Sequence, residues 1–212
     1  MAETLLDDWL VLVPVKSLDR AKSRLSSRTA AQRRGLSLAF ALDTVRAALA
    51  ATGVGELVVI GDDDVRAAVT ALGARWLLDP GAGLNAALEH GCAEALGSGN
   101  GVAALVGDLP AVRPEQVAAA LRAAQQVGRG LVADAAGTGS TLLTARAGST
   151  LGPLFGVRSR AAHRESGAVE LALGPVAGLR RDVDTEVDLW DAVRLGVGPA
   201  TRAALDMGPE AR

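Results

Sequence analysis

The chain has 212 residues, a length suited to one domain, and 49% of them are hydrophobic, enough for a sizeable core. A net charge of -2 leaves no basic excess to attract nucleic acid, and one cysteine, Cys92, permits neither an internal disulfide nor a cysteine-rich metal site. The acidic start lacks the basic residues and apolar run of a signal peptide, and no stretch approaches the roughly 20 apolar residues that span a bilayer. The expectation is a soluble cytoplasmic protein with no nucleic-acid and no membrane partner.

Apolar runs alternate with helical patterns along the chain. Trp9 to Val15 is a continuous apolar run, the signature of a strand buried on both faces. Thr29 to Ala51 predicts a long helix with Leu36, Phe40 and Val45 on one face. Glu56 to Gly61 predicts a second strand, followed by a short helix capped by Asp62 or Asp63. Arg75 to Leu78 predicts a third strand, Leu84 to Leu96 a helix, and Gly101 to Gly107 another buried strand. Pro114 opens a helix in its first turn, where proline is tolerated. Leu131 to Asp134 and Thr141 to Thr144 read as strands around the turn Ala135 to Gly139. Leu179 to Asp184 reads as a last strand, with Thr185 capping a helix through Leu195 and a loosely ordered tail after Val197. Strand-helix alternation implies a three-layer α/β/α domain around a mostly parallel sheet. The whole chain, 1–212, is expected to form that single domain, with residues 137–178 an insertion over the active face.

Ligands in such sheets sit at the carboxyl ends of the strands, so the residues just after each strand carry the interest. Pro14, Val15 and Lys16 are followed by Arg20, Lys22 and Arg24, which places four cations within nine residues after the first strand. Both lysines of this arginine-rich chain fall there, and such a loop can neutralise a triphosphate, although a solvated basic turn is the plainer reading. No Walker loop and no Gly-x-Gly-x-x-Gly follows the strand. Asp79 to Asn85 is glycine-rich; Gly83 lets backbone amides approach a ligand and Asn85 suits a base or ribose, or the segment is an ordinary loop before a helix. Asp108, in Gly107-Asp108-Leu109-Pro110, ends a strand and is placed to hold Mg²⁺ on substrate phosphates, or is a turn aspartate. Asp182 and Asp184 alternate with Val183 on the expected last strand, which puts two carboxylates on one face. With Asp108 they form a candidate metal set; pairing with Arg180 and Arg181 is the structural alternative. Ser159, after Phe155-Gly156-Val157-Arg158, is expected to cap a short helix, with the Thr141 hydroxyl available nearby and His163 on the same segment.

Taken in order, the motifs V-P-V-K-S-L-D-R-A-K-S-R-L-S, D-P-G-A-G-L-N-A-A-L, G-D-L-P, G-T-G-S-T, F-G-V-R-S, H-R-E-S-G-A and D-V-D-T resemble the 2-phospho-L-lactate/phosphoenolpyruvate guanylyltransferase family of coenzyme F-420 biosynthesis. The resemblance runs from Val11 to about Thr201, and the ending G-V-G-P-A-T is similar to the actinobacterial branch. It implies a nucleotide-diphospho-sugar transferase (Rossmann-like) fold, GTP and phosphoenolpyruvate as substrates, Mg²⁺ as cofactor, and a downstream deazaflavin transferase as recipient of the product. Carried over by position, Thr141, Gly156 and Ser159 bind phosphoenolpyruvate, and Asp108, Asp182 and Asp184 hold the metal. The fold's wider relatives begin with a Gly-rich loop and an arginine; here Pro14, Lys16, Lys22 and Arg24 stand in that place.

The expected reaction is attack of an acceptor phosphate oxygen on the α-phosphorus of GTP, with Lys22, Arg24 and Asp108 as catalytic residues. Pro14, Lys16, Lys22, Gly83 and Asn85 are the expected nucleotide contacts. Two alternatives stay open from the residues alone: a nucleotidyltransferase for 2-phospho-L-lactate, a sugar phosphate or a molybdopterin-type acceptor, and a non-catalytic nucleotide-binding module.

Overall fold

A computed structural model of the chain describes residues 8–18, 22, 24–94 and 101–206. One seven-stranded sheet runs through it in the order β3-β2-β1-β4-β6-β5-β7. At its centre β1 (Trp9–Pro14) pairs in parallel with β2 (Val54–Gly61) on one side and β4 (Val102–Leu105) on the other. Every residue of β1 is buried, as its unbroken apolar run requires of a strand covered on both faces. β3 (Arg75–Leu78) extends the parallel half beyond β2. β6 (Ser140–Ala145) runs antiparallel to both β4 and β5 (Arg129–Ala133), so it alone opposes the others. The edge strand β7 (Val169–Glu170) pairs in parallel with β5 and lies in a stretch where the sequence predicts no strand. The mostly parallel sheet expected from the sequence is therefore present, with a mixed half at β6.

Helices cover both faces. α1 (Ala30–Leu49) opens on a capping box in which Thr29 Oγ1 accepts from Gln32 N–H at 3.2 Å and Gln32 Oε1 accepts from Thr29 N–H at 2.9 Å. It buries Leu36, Phe40 and Val45, as predicted. α2 (Asp63–Thr70) follows the Asp62 cap, and α3 (Leu84–Glu94) lies so close to the sheet that a Cβ on Gly91 would come 2.6 Å from Ile60 Cδ1. α4 (Pro114–Ala124) begins at Pro114. α5 (Ser159–Glu165), α6 (Ala177–Arg180), α7 (Glu186–Leu195) and α8 (Pro199–Asp206) complete the chain. The end of the predicted Leu84 to Leu96 helix, together with Arg20, lies outside the described residues.

Two expectations about the C-terminal third are corrected. Leu179 to Asp184 is not a strand: the short helix α6 holds Leu179 and Arg180, and 181–184 is extended chain without a sheet partner. β4 already has β1 and β6 on its two sides, so no free edge remains there, and the segment keeps one backbone bond, Val183 N–H to Asp108 C=O at 3.1 Å. Gly178 also sits directly against the Ala111 carbonyl, where no Cβ fits. The described part of the tail after Val197, residues 198–206, is likewise not loose. It forms α8, whose first amides at Ala200 and Thr201 donate to the two Asp43 carboxylate oxygens at 3.0 and 2.8 Å. Asp43 lies on the buried face of α1 and its side chain is only 2% exposed, so it caps a helix 157 residues away with both oxygens.

Asp43→Ala should therefore lower unfolding stability by roughly 2 kcal/mol, the cost of a lost cap that leaves buried donors unpaired. Urea unfolding measures this; an unchanged midpoint would show that α8 docks without the carboxylate.

Candidate active site

The carboxyl ends of β1 and β4 and the segment entering α7 meet at one edge of the sheet. Gly107 lets them approach, since a Cβ there would come 2.9 Å from the Pro14 carbonyl oxygen. Val15 N–H donates to Ile60 C=O at 2.8 Å, which extends β1 past Pro14 and delivers Lys16, an exposed residue, to the rim. The loop then turns at Lys22, whose φ of 57° is left-handed, and Leu25 N–H closes onto Lys22 C=O at 2.9 Å. Leu25 is fully buried in a small core with Leu36, Phe40, Val183 and Leu189, so the turn is anchored from below.

That anchoring presents the Lys22 ammonium to two carboxylates: Asp108 Oδ2 at 2.6 Å and Asp184 Oδ1 at 3.1 Å. The lysine side chain is 8% exposed, and although burial opposes its charge, Asp108 and then Asp184 raise its pKa above the ordinary lysine value. Burial also works against ionisation of Asp184, but Lys22, then Lys16 and Arg24, hold its pKa below the usual carboxylate value. Asp182 is different. Burial first, then the charges of Asp108, Asp184 and Asp134, push its pKa up to about 7. The edge thus carries more negative charge than Lys22 balances.

Backbone bonds fix Asp108 on two sides. Val183 N–H donates to its carbonyl, and Leu109 N–H donates to the buried Thr44 Oγ1 at 3.0 Å, which itself donates to Phe40 C=O at 2.9 Å. Thr44 was not singled out from the sequence; its signal was a polar residue on the apolar face of α1. The helix after Asp184 is capped by Thr185, whose Oγ1 accepts from Asp188 N–H at 3.3 Å while Asp188 Oδ2 accepts from Thr185 N–H at 2.8 Å. Arg181 pairs with Asp188 and Asp191, and Arg180 donates to the Ala133 and Asp134 carbonyls, so neither arginine takes Asp182 or Asp184 as an ion-pair partner.

Along the same edge, Asp79 Oδ1 accepts from Gly81 N–H at 2.8 Å and Gly83 has a φ of 96°, so a tight turn delivers α3. The Asn85 amide exchanges two hydrogen bonds with the backbone of Phe155: Asn85 Nδ2 donates to its carbonyl at 3.0 Å and Asn85 Oδ1 accepts from its N–H at 2.8 Å. It ties α3 to the loop before Gly156, a use of the side chain not read from the sequence.

Around β6, hydroxyls and an imidazole gather beside one carboxylate, Asp134. Thr141 is 1% exposed and its Oγ1 has no hydrogen-bond partner, although its backbone carbonyl accepts from Val106 N–H at 3.0 Å. Ser159 is not the N-cap expected of it. Arg158, with a φ of 59°, takes that place, and Ser159 Oγ instead accepts from Ser140 N–H at 2.9 Å. Gly156, exposed and with a φ of 141°, stands just before them. Asp134, directly after β5, accepts from Thr138 N–H at 2.9 Å and Gly139 N–H at 2.7 Å and so shapes the turn into β6. His163 is fully buried, with Nδ1 3.0 Å from Ser140 Oγ and Nε2 accepting from Leu154 N–H at 2.8 Å. Burial and, second, the charge of Arg129 lower its pKa from 6.5 to about 4.

Cations and carboxylates thus converge on the carboxyl edge of a mostly parallel sheet. Residues 38–171 match the MobA-like NTP transferase domain. The chain is 55% identical to the phosphoenolpyruvate guanylyltransferase of Streptomyces scabiei over 92% of its own length and 95% of that protein, and 54% identical to the one of Streptomyces coelicolor over 92% and 94%. Among solved structures it is similar in fold to a putative nucleotide-diphospho-sugar transferase from Desulfovibrio desulfuricans G20, with a TM-score of 0.69 at 19% identity over 94% of both chains. A Mycobacterium tuberculosis H37Rv protein solved in complex with manganese matches with a TM-score of 0.57 at 24% identity, over 89% of this chain and 98% of that one. The chain belongs to the phosphoenolpyruvate guanylyltransferase family, and it is a nucleotidyltransferase of α/β Rossmann-like fold.

The His163 shift has a pH signature. Its folded pKa lies below the unfolded value, so its contribution is intact above pH 6.5 and is lost as pH falls toward about 4, where the unfolded chain binds the proton first. Denaturation series across that window should show stability falling with acidity, and His163→Asn should flatten part of the slope. An identical slope in both proteins would show that His163 does not titrate as described.

Proposed function

We propose that the protein joins the GMP moiety of GTP to phosphoenolpyruvate, giving enolpyruvoyl-2-diphospho-5'-guanosine and pyrophosphate, as a step of coenzyme F-420 biosynthesis. The observation that carries the reaction class is the convergence of Lys22 with Asp108 and Asp184, flanked by Lys16, Arg24 and Asp182, at one sheet edge. The choice of substrates is supported by the names of the relatives that match over 92% of the chain.

In this reading an oxygen of the acceptor phosphate forms a bond to the α-phosphorus of GTP. The bond from that phosphorus to the bridging oxygen of the β-phosphate breaks, and pyrophosphate leaves with the electron pair. The attacking oxygen is already anionic, so no general base is required, in keeping with a site whose one nearby histidine is buried and neutral. What remains is positioning and charge neutralisation. Lys22, Lys16 and Arg24 stabilise the departing pyrophosphate. Pro14 and Gly83 bring backbone close to the nucleotide, and Asn85 serves by holding the Phe155 backbone beside it. Thr141, Gly156 and Ser159 take the acceptor; the unpaired buried hydroxyl of Thr141 suits a ligand oxygen.

A divalent metal fits the acidic edge. Its donors are hard carboxylate oxygens, Lys22 already stands as a positive charge between Asp108 and Asp184, and burial together with the neighbouring carboxylates raises Asp182, which a cation would relieve. Among the described residues no three such side chains are drawn together into a ready cage, and Lys22 holds two of them. Asp108, Asp184 and Asp182 are the residues that would hold Mg²⁺, which would supply Lewis-acid stabilisation of charge on the phosphates.

Pyrophosphate release with GTP, Mg²⁺ and phosphoenolpyruvate tests the proposal, against 2-phospholactate, a sugar 1-phosphate and no acceptor. Release with a sugar 1-phosphate alone would overturn the acceptor. Asp108→Asn should lower turnover by ~100-fold or more while the protein stays folded; near-normal turnover would remove Asp108 from the machinery. Ser159→Ala should raise the acceptor KM by about tenfold with the GTP KM little changed.

A further inference from the structure

His163 links the two chain segments that bear the proposed acceptor contacts. Its Nε2 accepts from Leu154 N–H, so that nitrogen carries no proton; the proton is on Nδ1, which donates to Ser140 Oγ. Ser140 directly precedes Thr141, and its N–H donates to Ser159 Oγ. Leu154 and Phe155 directly precede Gly156. The first is pinned by the imidazole, the second by Asn85, and the Phe155 ring lies edge-on to the imidazole with centroids 4.9 Å apart and planes at 77°. One fully buried ring thus fixes the neighbours of Thr141, Gly156 and Ser159 at once.

We infer that His163 is a positioning residue for the acceptor: its imidazole couples β6 to the 154–156 loop and so holds Thr141, Gly156 and Ser159 in a single arrangement. The inference rests on the reading that those three residues take the acceptor. Nothing in it requires the ring to touch substrate, since both ring nitrogens are already engaged by Ser140 and Leu154. The other polar groups nearby are committed elsewhere. Arg129 donates to the Leu151, Gly152 and Ser166 carbonyls, and Arg160 to Glu170 and the Gly137 carbonyl. No other side chain among the described residues bonds both to Ser140 and to the 154–156 backbone. The imidazole therefore positions the acceptor side through hydrogen bonds without adding charge of its own.

The test separates the two nitrogens. A glutamine amide reaches the place of Nε2 and can still accept from Leu154 N–H; an asparagine amide reaches only the place of Nδ1. In steady-state assays His163→Asn and His163→Ala should raise the acceptor KM by about tenfold or more, with the GTP KM within twofold, because misplacing a contact costs binding at that contact. His163→Gln should recover most of the loss, and amide exchange at Leu154 should be faster in the Asn variant than in the Gln variant. If His163→Ala fails to fold, the Gln and Asn pair carries the comparison. The inference is overturned if both KM values move together, if neither moves, or if Gln is no better than Asn. Ser159→Ala distinguishes the levels of failure. An unchanged acceptor KM there overturns the acceptor reading and this inference with it. A raised one, beside an unresponsive His163 series, overturns the inference alone.

Discussion

One ammonium between two carboxylates organises this molecule's working edge. Lys22 meets residues 86 and 162 positions away in the chain, and each contact demands that a different segment end at the same place. Parallel pairing of β1 and β4 makes their carboxyl ends coincide, and Gly107 removes the side chain that would hold them apart. The third segment arrives without being a strand, held by Val183 N–H on the Asp108 carbonyl and by burial of Val183 itself. Such an ion pair, with the lysine buried and Asp184 half exposed, is a poor source of net stability, because desolvation of the ammonium offsets much of the attraction. Its effect is to specify: an arrangement without Lys22 leaves both carboxylates without their cation. The left-handed backbone at Lys22, a mildly costly conformation for a lysine, persists because Leu25 and the turn beneath it over-determine the position.

The surplus charge at the edge follows from the same geometry. Asp182, one residue from the buried Val183, shares its surroundings with Asp108, Asp184 and Asp134, while Arg180 and Arg181 are engaged elsewhere. A proton on Asp182 near neutral pH is the cheapest relief the protein itself can offer, and a cation from solution is the other.

Much of this was legible in the sequence where one rule acts alone. Continuous apolar runs located β1 and β4, Thr29 and Thr185 announced their helices, and the rarity of lysine in an arginine-rich chain directed attention to Lys22. Where tertiary structure competes, local pattern failed. Leu179 to Asp184 alternates like a strand but finds no free edge on β4, and Pro199–Asp206 becomes a helix because Asp43, far away in sequence, offers two oxygens to its first amides. Ser159 has the residue type of an N-cap, yet a neighbouring strand's N–H claims its hydroxyl. Thr44 and His163 act on Leu109 and Ser140, partners 65 and 23 positions away that no local spacing rule connects.

The two sides of the edge solve different physical problems. A polyphosphate carries charge that must be balanced, and lysine and arginine do that at long range and with little demand on angle. A small acceptor has to be placed within a fraction of an ångström, and hydrogen bonds from neutral groups are steeper functions of distance and angle than a charge-charge attraction. A protonated His163 would lose its acceptor at Nε2 and stand against the Arg129 charge. Burial together with Arg129 therefore keeps the ring neutral and confines the network to one tautomer. On the proposed reading, the basic loop attracts the nucleotide, and the buried imidazole determines how closely the second substrate is aimed at it.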